Sequence, residues 1–129
     1  MRAVIIEDNA HAATQLRHSI EDLGHPVVGM ASCFADGVDM LMTARDVDLA
    51  VIDLDLGPDA RERFGALLVN LAASRAIRVA VTTGTGDIPD HLGGAALLVK
   101  PYSDEQLASV LISIARRAPQ PGRPARLGA

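Results

Sequence analysis

The sequence predicts an α/β domain: a doubly wound, five-stranded parallel sheet with strand order 2-1-3-4-5 and a reduced fourth helix. Three observations predict it. Five short apolar runs rich in strand formers alternate with segments of helical apolar spacing. The runs are near-continuous rather than alternating, as parallel strands covered on both faces require. Residues able to do chemistry close four of the runs, namely Glu7-Asp8, Asp53, Thr82 and Lys100. Ligands of open α/β sheets bind at those carboxyl ends.

Ala3 to Ile6 reads as the first strand. Asn9 can cap a helix that places Ala13, Leu16, Ile20 and Leu23 on one face. Gly24 ends that helix and Pro26 prevents its continuation. Val27 to Ala31 is the second strand, and Ser32 is the expected cap of a helix burying Phe34, Val38, Leu41 and Met42. Leu49 to Asp53 is the third strand, closed by the breakers Gly57 and Pro58. A third helix over Arg61 to Ala73 carries Phe64, Leu67, Leu68 and Leu71. Arg78 to Thr82 and Ala95 to Val99 are the last strands, and Ile88 to Leu92 allows only a short helix between them. Lys100-Pro101 is the candidate for a cis peptide bond. Ser103 and Gln106 form a capping box for a final helix with Leu107, Val110, Leu111 and Ile114 on its buried stripe. Crossovers between such strands are right-handed.

The 129 residues suffice for one core. The single Cys33 excludes an internal disulfide and suits a reducing, cytoplasmic setting. No run reaches membrane-spanning length, and the opening apolar run is too short for a signal peptide. A net charge of −4 gives no general nucleic-acid footprint. The expected organisation is a domain over residues 1–117 and a loose basic tail over residues 118–129, which contains Pro119, Pro121, Gly122, Arg123, Pro124 and Arg126.

In a parallel sheet the ends of the strands share one edge. Glu7, Asp8 and Asp53 would then face one another, and clustered carboxylates need a cation. Their hard oxygens suit Mg²⁺, with Mn²⁺ as a substitute. A metal among acids suggests phosphoryl chemistry, with Asp53 as nucleophile. Lys100, the only lysine of the chain, can bind a phosphoryl oxygen. Thr82 offers a hydroxyl, and the backbone N–H groups of Leu54 and Thr83 offer further donors. Taken singly, a strand-end acid, a Lys-Pro step or a strand-end Thr is an ordinary solvated or turn residue. Their joint placement carries the reading.

These residues resemble the receiver domains of two-component response regulators, a CheY-like, flavodoxin-like family. The resemblance spans residues 3–117 and rests on Val4-Ile5-Ile6-Glu7-Asp8, Ile52-Asp53-Leu54-Asp55-Leu56, Val81-Thr82-Thr83-Gly84 and Val99-Lys100-Pro101-Tyr102. It implies that Asp53 accepts phosphate from a kinase histidine. It implies that Asp8, Asp53 and the Asp55 backbone carbonyl hold the metal, with Glu7, where Asp is usual, acting through water. Thr82 and Lys100 would contact the phosphoryl group and report its arrival. The implied partners are a sensor histidine kinase or a histidine phosphotransfer domain, and a second copy through the face of the reduced fourth helix, fifth strand and last helix. The resemblance implies a phosphoryl acceptor rather than a turnover enzyme, one that catalyses its own phosphorylation from small donors and its own slow dephosphorylation.

Two departures qualify it. Leu97 stands where the family carries Tyr or Phe, so an inward-swinging ring at that position cannot report phosphorylation. The span from Thr82 to Lys100 is also short. Thr83-Gly84, Ile88-Pro89 and Leu98 to Tyr102 resemble the atypical single-domain receivers of alphaproteobacteria, although Thr85 replaces their loop tyrosine. The short Thr83–Leu92 segment is expected to change order or position on phosphorylation and to form part of the partner surface. Nothing after the last helix is long enough for a DNA-binding domain, so output is expected through protein contacts. Two other readings compete. Asp53-Leu54-Asp55 resembles the Asp-x-Asp of haloacid-dehalogenase-like phosphatases, which normally follows a first strand in a longer chain. A flavodoxin-like FMN module would want aromatic stacking, and the chain has one Tyr, two Phe and no Trp.

Overall fold

The computed structural model describes residues 1–56, 62–84, 92 and 95–117. Five strands and four helices follow one another: β1 (Ala3–Ile6), α1 (Ala10–Asp22), β2 (Val27–Ala31), α2 (Phe34–Thr43), β3 (Leu49–Asp53), α3 (Glu62–Ser74), β4 (Arg78–Thr83), β5 (Ala96–Val99) and α4 (Asp104–Arg116). All strand pairs are parallel and the sheet order is β2-β1-β3-β4-β5, as the sequence predicts. No other α-helix lies among the described residues. Of the short helix expected at Ile88 to Leu92, only Leu92 is described, and the loop over residues 57–60 and the basic tail also lie outside.

Alternation along each strand sends side chains to two cores. Val4, Ile6, Ala50, Ile52 and Val81 meet Leu41 of α2 and Leu68 and Ala72 of α3. Ala3, Ile5, Leu49, Val51 and Ala80 meet Leu16 and Ile20 of α1 and Leu107, Leu111 and Ile114 of α4. Both faces of β1 and β3 are therefore buried, which is why these strands read as unbroken apolar runs.

The helix ends follow from local chemistry. The Asn9 side chain accepts a hydrogen bond from the Ala12 N–H at 2.9 Å. Gly24 follows α1 with φ +91°, the left-handed conformation that glycine adopts without strain. The capping box of α4 is complete: Ser103 Oγ accepts from Gln106 N–H at 3.1 Å, and Gln106 Oε1 accepts from Ser103 N–H at 2.8 Å.

Several boundaries and faces differ from the sequence expectation. Cys33, not Ser32, caps α2, and it does so without a side-chain bond. The one-residue shift starts the helix at Phe34, whose ring meets Phe64 of α3 with centroids 5.1 Å apart. Met42 and Leu67 are each 51% exposed. Each sits beside the leucine that its helix buries, Leu41 or Leu68, and a step of one residue turns a side chain far round the helix. Leu23 caps α1 and is exposed. β4 continues through Thr83, and β5 starts at Ala96 rather than Ala95.

Candidate functional site

β1 and β3 are neighbours paired Ile6↔Ile52, so the residues that follow them emerge together. Glu7, Asp8 and Asp53 each place a carboxylate oxygen within 4.8 Å of the others. Glu7 and Asp53 are buried and Asp8 is exposed, so the cluster opens to solvent through Asp8. Lys100, arriving at the end of β5, places Nζ 2.8 Å from Glu7 Oε1 and 3.4 Å from Asp53 Oδ2. The remaining oxygens of the buried pair are also engaged. Glu7 Oε2 accepts from the Asn9 N–H at 3.1 Å, and Asp53 Oδ1 accepts from the Asp55 N–H at 2.9 Å. A carboxylate that is only 2% exposed, as Asp53 is, requires such partners.

The electrostatic balance at Lys100 is decided by these contacts. Partial burial alone would lower its pKa. The hydrogen bond to Glu7 and the charges of Asp53 and Glu7 outweigh that, and the pKa stands above the ordinary lysine value. One ammonium against three carboxylates leaves the cluster negative. The hard oxygen donors and residual charge fit a divalent cation such as Mg²⁺.

The other expected residues fall around this centre. Thr82 is the register partner of Asp53 and is buried. Thr83 is buried too, and its carbonyl accepts the Lys100 N–H at 2.8 Å, which ties the start of the β5 loop to β4. The Leu54 N–H, expected as a donor toward a ligand, continues the β3–β4 ladder and donates to the Thr82 carbonyl at 3.0 Å. It would have to share its hydrogen to contact a phosphoryl oxygen. Leu97 is half-buried against the α2/α3 core. The Lys100–Pro101 peptide is cis.

Two features escaped the sequence reading. The Asp55 carboxylate accepts from the Gly84 N–H at 3.0 Å and so joins the β3 loop to the β4 loop. Gly65 of α3 lies against Leu54, next to Asp53, so closely that a Cβ there would sit 2.6 Å from the Leu54 Cα. Its signal in the sequence was a glycine inside a helical pattern, which usually has a packing reason.

No protein-family model and no curated protein matches the sequence, but solved structures match it along most of its length. The receiver domain of the PhyR response regulator from Erythrobacter litoralis superimposes with a TM-score of 0.75, covering 95% of each chain at 19% identity. A CheY-like response regulator receiver domain from Methylobacillus flagellatus gives 0.72 over 88% of this chain and 98% of that one, at 26% identity. The chain has the fold of CheY-like receiver domains. PhyR from Bartonella quintana, described as an anti-anti-sigma factor, matches at 22% identity with a TM-score of 0.71 over 88% of this chain; the match spans 46% of that protein's length. Among the described residues of the domain, no helix is long and apolar enough to cross a membrane.

Proposed function

We propose that this receiver domain takes a phosphoryl group onto Asp53 from the histidine of a sensor kinase or a histidine phosphotransfer domain, and signals by protein contacts. The observation that carries the reading is the setting of Asp53: buried, one oxygen held by the Asp55 N–H, the other facing the Lys100 ammonium. An Asp53 oxygen attacks phosphorus, the phosphorus–nitrogen bond of the donor breaks, and the imidazole leaves with that electron pair. Lys100 and the Thr82 hydroxyl meet the transferred oxygens. Asp8, Asp53 and the Asp55 carbonyl would hold Mg²⁺, with Glu7 acting through water, and the ion supplies positive charge to the phosphoryl oxygens. The Asp55 carboxylate is engaged by the Gly84 N–H, which disfavours the general-acid role that a dehalogenase-type phosphatase would give it.

Labelled acetyl phosphate or a partner kinase tests the acceptor. With Mg²⁺ present the wild type takes up label and Asp53→Asn does not; equal labelling of the variant removes Asp53 from the role. Asp8→Ala separates metal binding from acceptance. It removes an oxygen ligand and a countercharge together, so Mg²⁺ affinity measured by calorimetry falls, while relief of repulsion stabilises the metal-free domain. Unchanged affinity would place the ion elsewhere.

The remaining parts of this reading are a cytoplasmic setting, kinship with the atypical single-domain receivers, and a homodimer through the face that includes β5 and α4.

A further inference from the structure

Two cavities flank the end of β5. The larger, of about 570 Å³, opens beside the acidic cluster and is lined by Glu7, Lys100, Tyr102 and Asp104, with Gln15 and Ser19 of α1. The smaller, of about 310 Å³, lies between β5 and α4 and is lined by Leu97, Val99, Tyr102, Gln106, Ser109 and Val110. Tyr102 is the one residue common to both linings. Its ring is a partition between the site and the β5–α4 face.

The position of the ring in the chain strengthens this. Tyr102 follows Lys100 by two residues and precedes Ser103, the cap of α4. The Lys100 main chain is tied to Thr83 at 2.8 Å, while its ammonium rests on Glu7 and Asp53. The ring is half-buried at the margin of the α1/α4 core. Burial holds its phenol above the ordinary range, so it stays neutral at physiological pH. A ring inside a close-packed core could move only by displacing neighbours. This one has open space on both sides. Leu97 lines the smaller cavity alone and does not reach the site.

We propose that Tyr102 is the positioning residue through which the state of Asp53 reaches the face formed by β5 and α4. This rests on the phosphoacceptor reading. A phosphoryl oxygen on Asp53 competes with Glu7 for the Lys100 ammonium. As the lysine side chain moves, the ring beside it shifts, narrowing one cavity and widening the other. Ser109 and Val110 then feel a change that begins at the site.

The chain holds a single tyrosine and no tryptophan, so tyrosine emission from the unmodified protein reports this ring. The domain is titrated with beryllofluoride in the presence of Mg²⁺, following both emission and backbone amide shifts. The expected result is a saturable emission change with the same midpoint as the shifts at Asp53. In Tyr102→Leu the shifts at Asp8 and Asp53 persist, while those at Ser109 and Val110 lose most of their size. Tyr102→Phe, which keeps the ring, retains them. Emission that stays constant while Asp53 saturates overturns the proposal and leaves the phosphoacceptor reading intact, and so do full-sized shifts at Ser109 and Val110 in Tyr102→Leu. Absence of saturable shifts at Asp53 in the wild type overturns both.

Discussion

The ends of β3 and β5 both deliver a charged residue to the same cluster, yet they are built differently. β3 is flanked by β1 and β4, and every residue from Leu49 to Asp53 is buried. Its last carboxylate is held by a backbone N–H and an ammonium, and the next residue, Leu54, is locked by a ladder bond and by the close approach of Gly65. β5 is an edge strand paired with β4 alone. Val99 is 42% exposed, the Lys100 side chain is 34% exposed, and open space lies beside the turn that follows. Asp53, the proposed acceptor, is thus held at the centre of the sheet, while Lys100 hangs from its margin. A difference in rigidity between the two ends follows, and it can be broken from either side.

The largest effect is expected from Lys100→Met. Without the ammonium, Glu7 and Asp53 are buried carboxylates with no countercharge, and the domain loses stability. The loss should fall below the about 3–5 kcal/mol of a fully buried pair, because a third of the lysine side chain is in water. The pH dependence has a definite sign. The folded-state pKa of Lys100 is raised, so its contribution is complete below the ordinary lysine value of about 10.4 and is lost as pH rises through the folded value. Denaturant midpoints of wild type and variant should therefore stay apart from neutrality to about pH 10 and converge above it. A gap that closes at lower pH would assign the stabilisation to another group.

The sequence made the contents of the cluster legible and left its internal connections hidden. Strand order and the meeting of Glu7, Asp8, Asp53 and Lys100 were readable because parallel strands bury both faces and end at one edge. That inference needs no side-chain geometry. The bond from Asn9 N–H to Glu7, the use of the Leu54 N–H in the ladder, and the link from Asp55 to Gly84 depend on rotamers and loop paths that periodicity does not encode. Adjacent apolar residues were ambiguous for the same reason. A pattern containing Leu67-Leu68 or Leu41-Met42 cannot say which member turns inward until the neighbouring helix is in place. Ser32 had the better capping chemistry, yet α2 begins after Cys33, where Phe34 can reach Phe64.

The rigid end is tested by a pair of glycines. Gly65→Ala puts a Cβ 2.6 Å from the Leu54 Cα and 3.0 Å from its carbonyl oxygen, so backbone must move. A net loss of about 1–3 kcal/mol is expected from overpacking. The gain in helix propensity, about 1 kcal/mol, is included in that figure. Gly37→Ala in α2 is the control. The nearest atoms to its Cβ would be methyl carbons of the Ile6 and Leu68 side chains, at 3.2–3.3 Å, so side chains and not backbone must adjust. Its effect on thermal unfolding should be close to zero. Equal costs at the two positions would show that Leu54 is not held as tightly as the contact implies.

The smallest effect is expected at the margin, from Ser103→Ala. The serine hydroxyl accepts the Gln106 N–H, and the Gln106 side chain returns a bond to the Ser103 N–H. Removing the hydroxyl unmakes one of the two and should cost about 1 kcal/mol of stability. The first turn of α4 is exposed, so water replaces the lost partner and no buried group is orphaned. None of the residues of the acidic cluster depends on this bond. Lys100 is anchored instead through the Thr83 carbonyl and the two carboxylates. Mg²⁺ affinity should therefore be the same in Ser103→Ala and wild type, while the unfolding midpoint drops. If affinity fell together with stability, the cap of α4 and the acidic cluster would form one unit, and the contrast between a tightly held Asp53 and an open margin would fail at the β5 end.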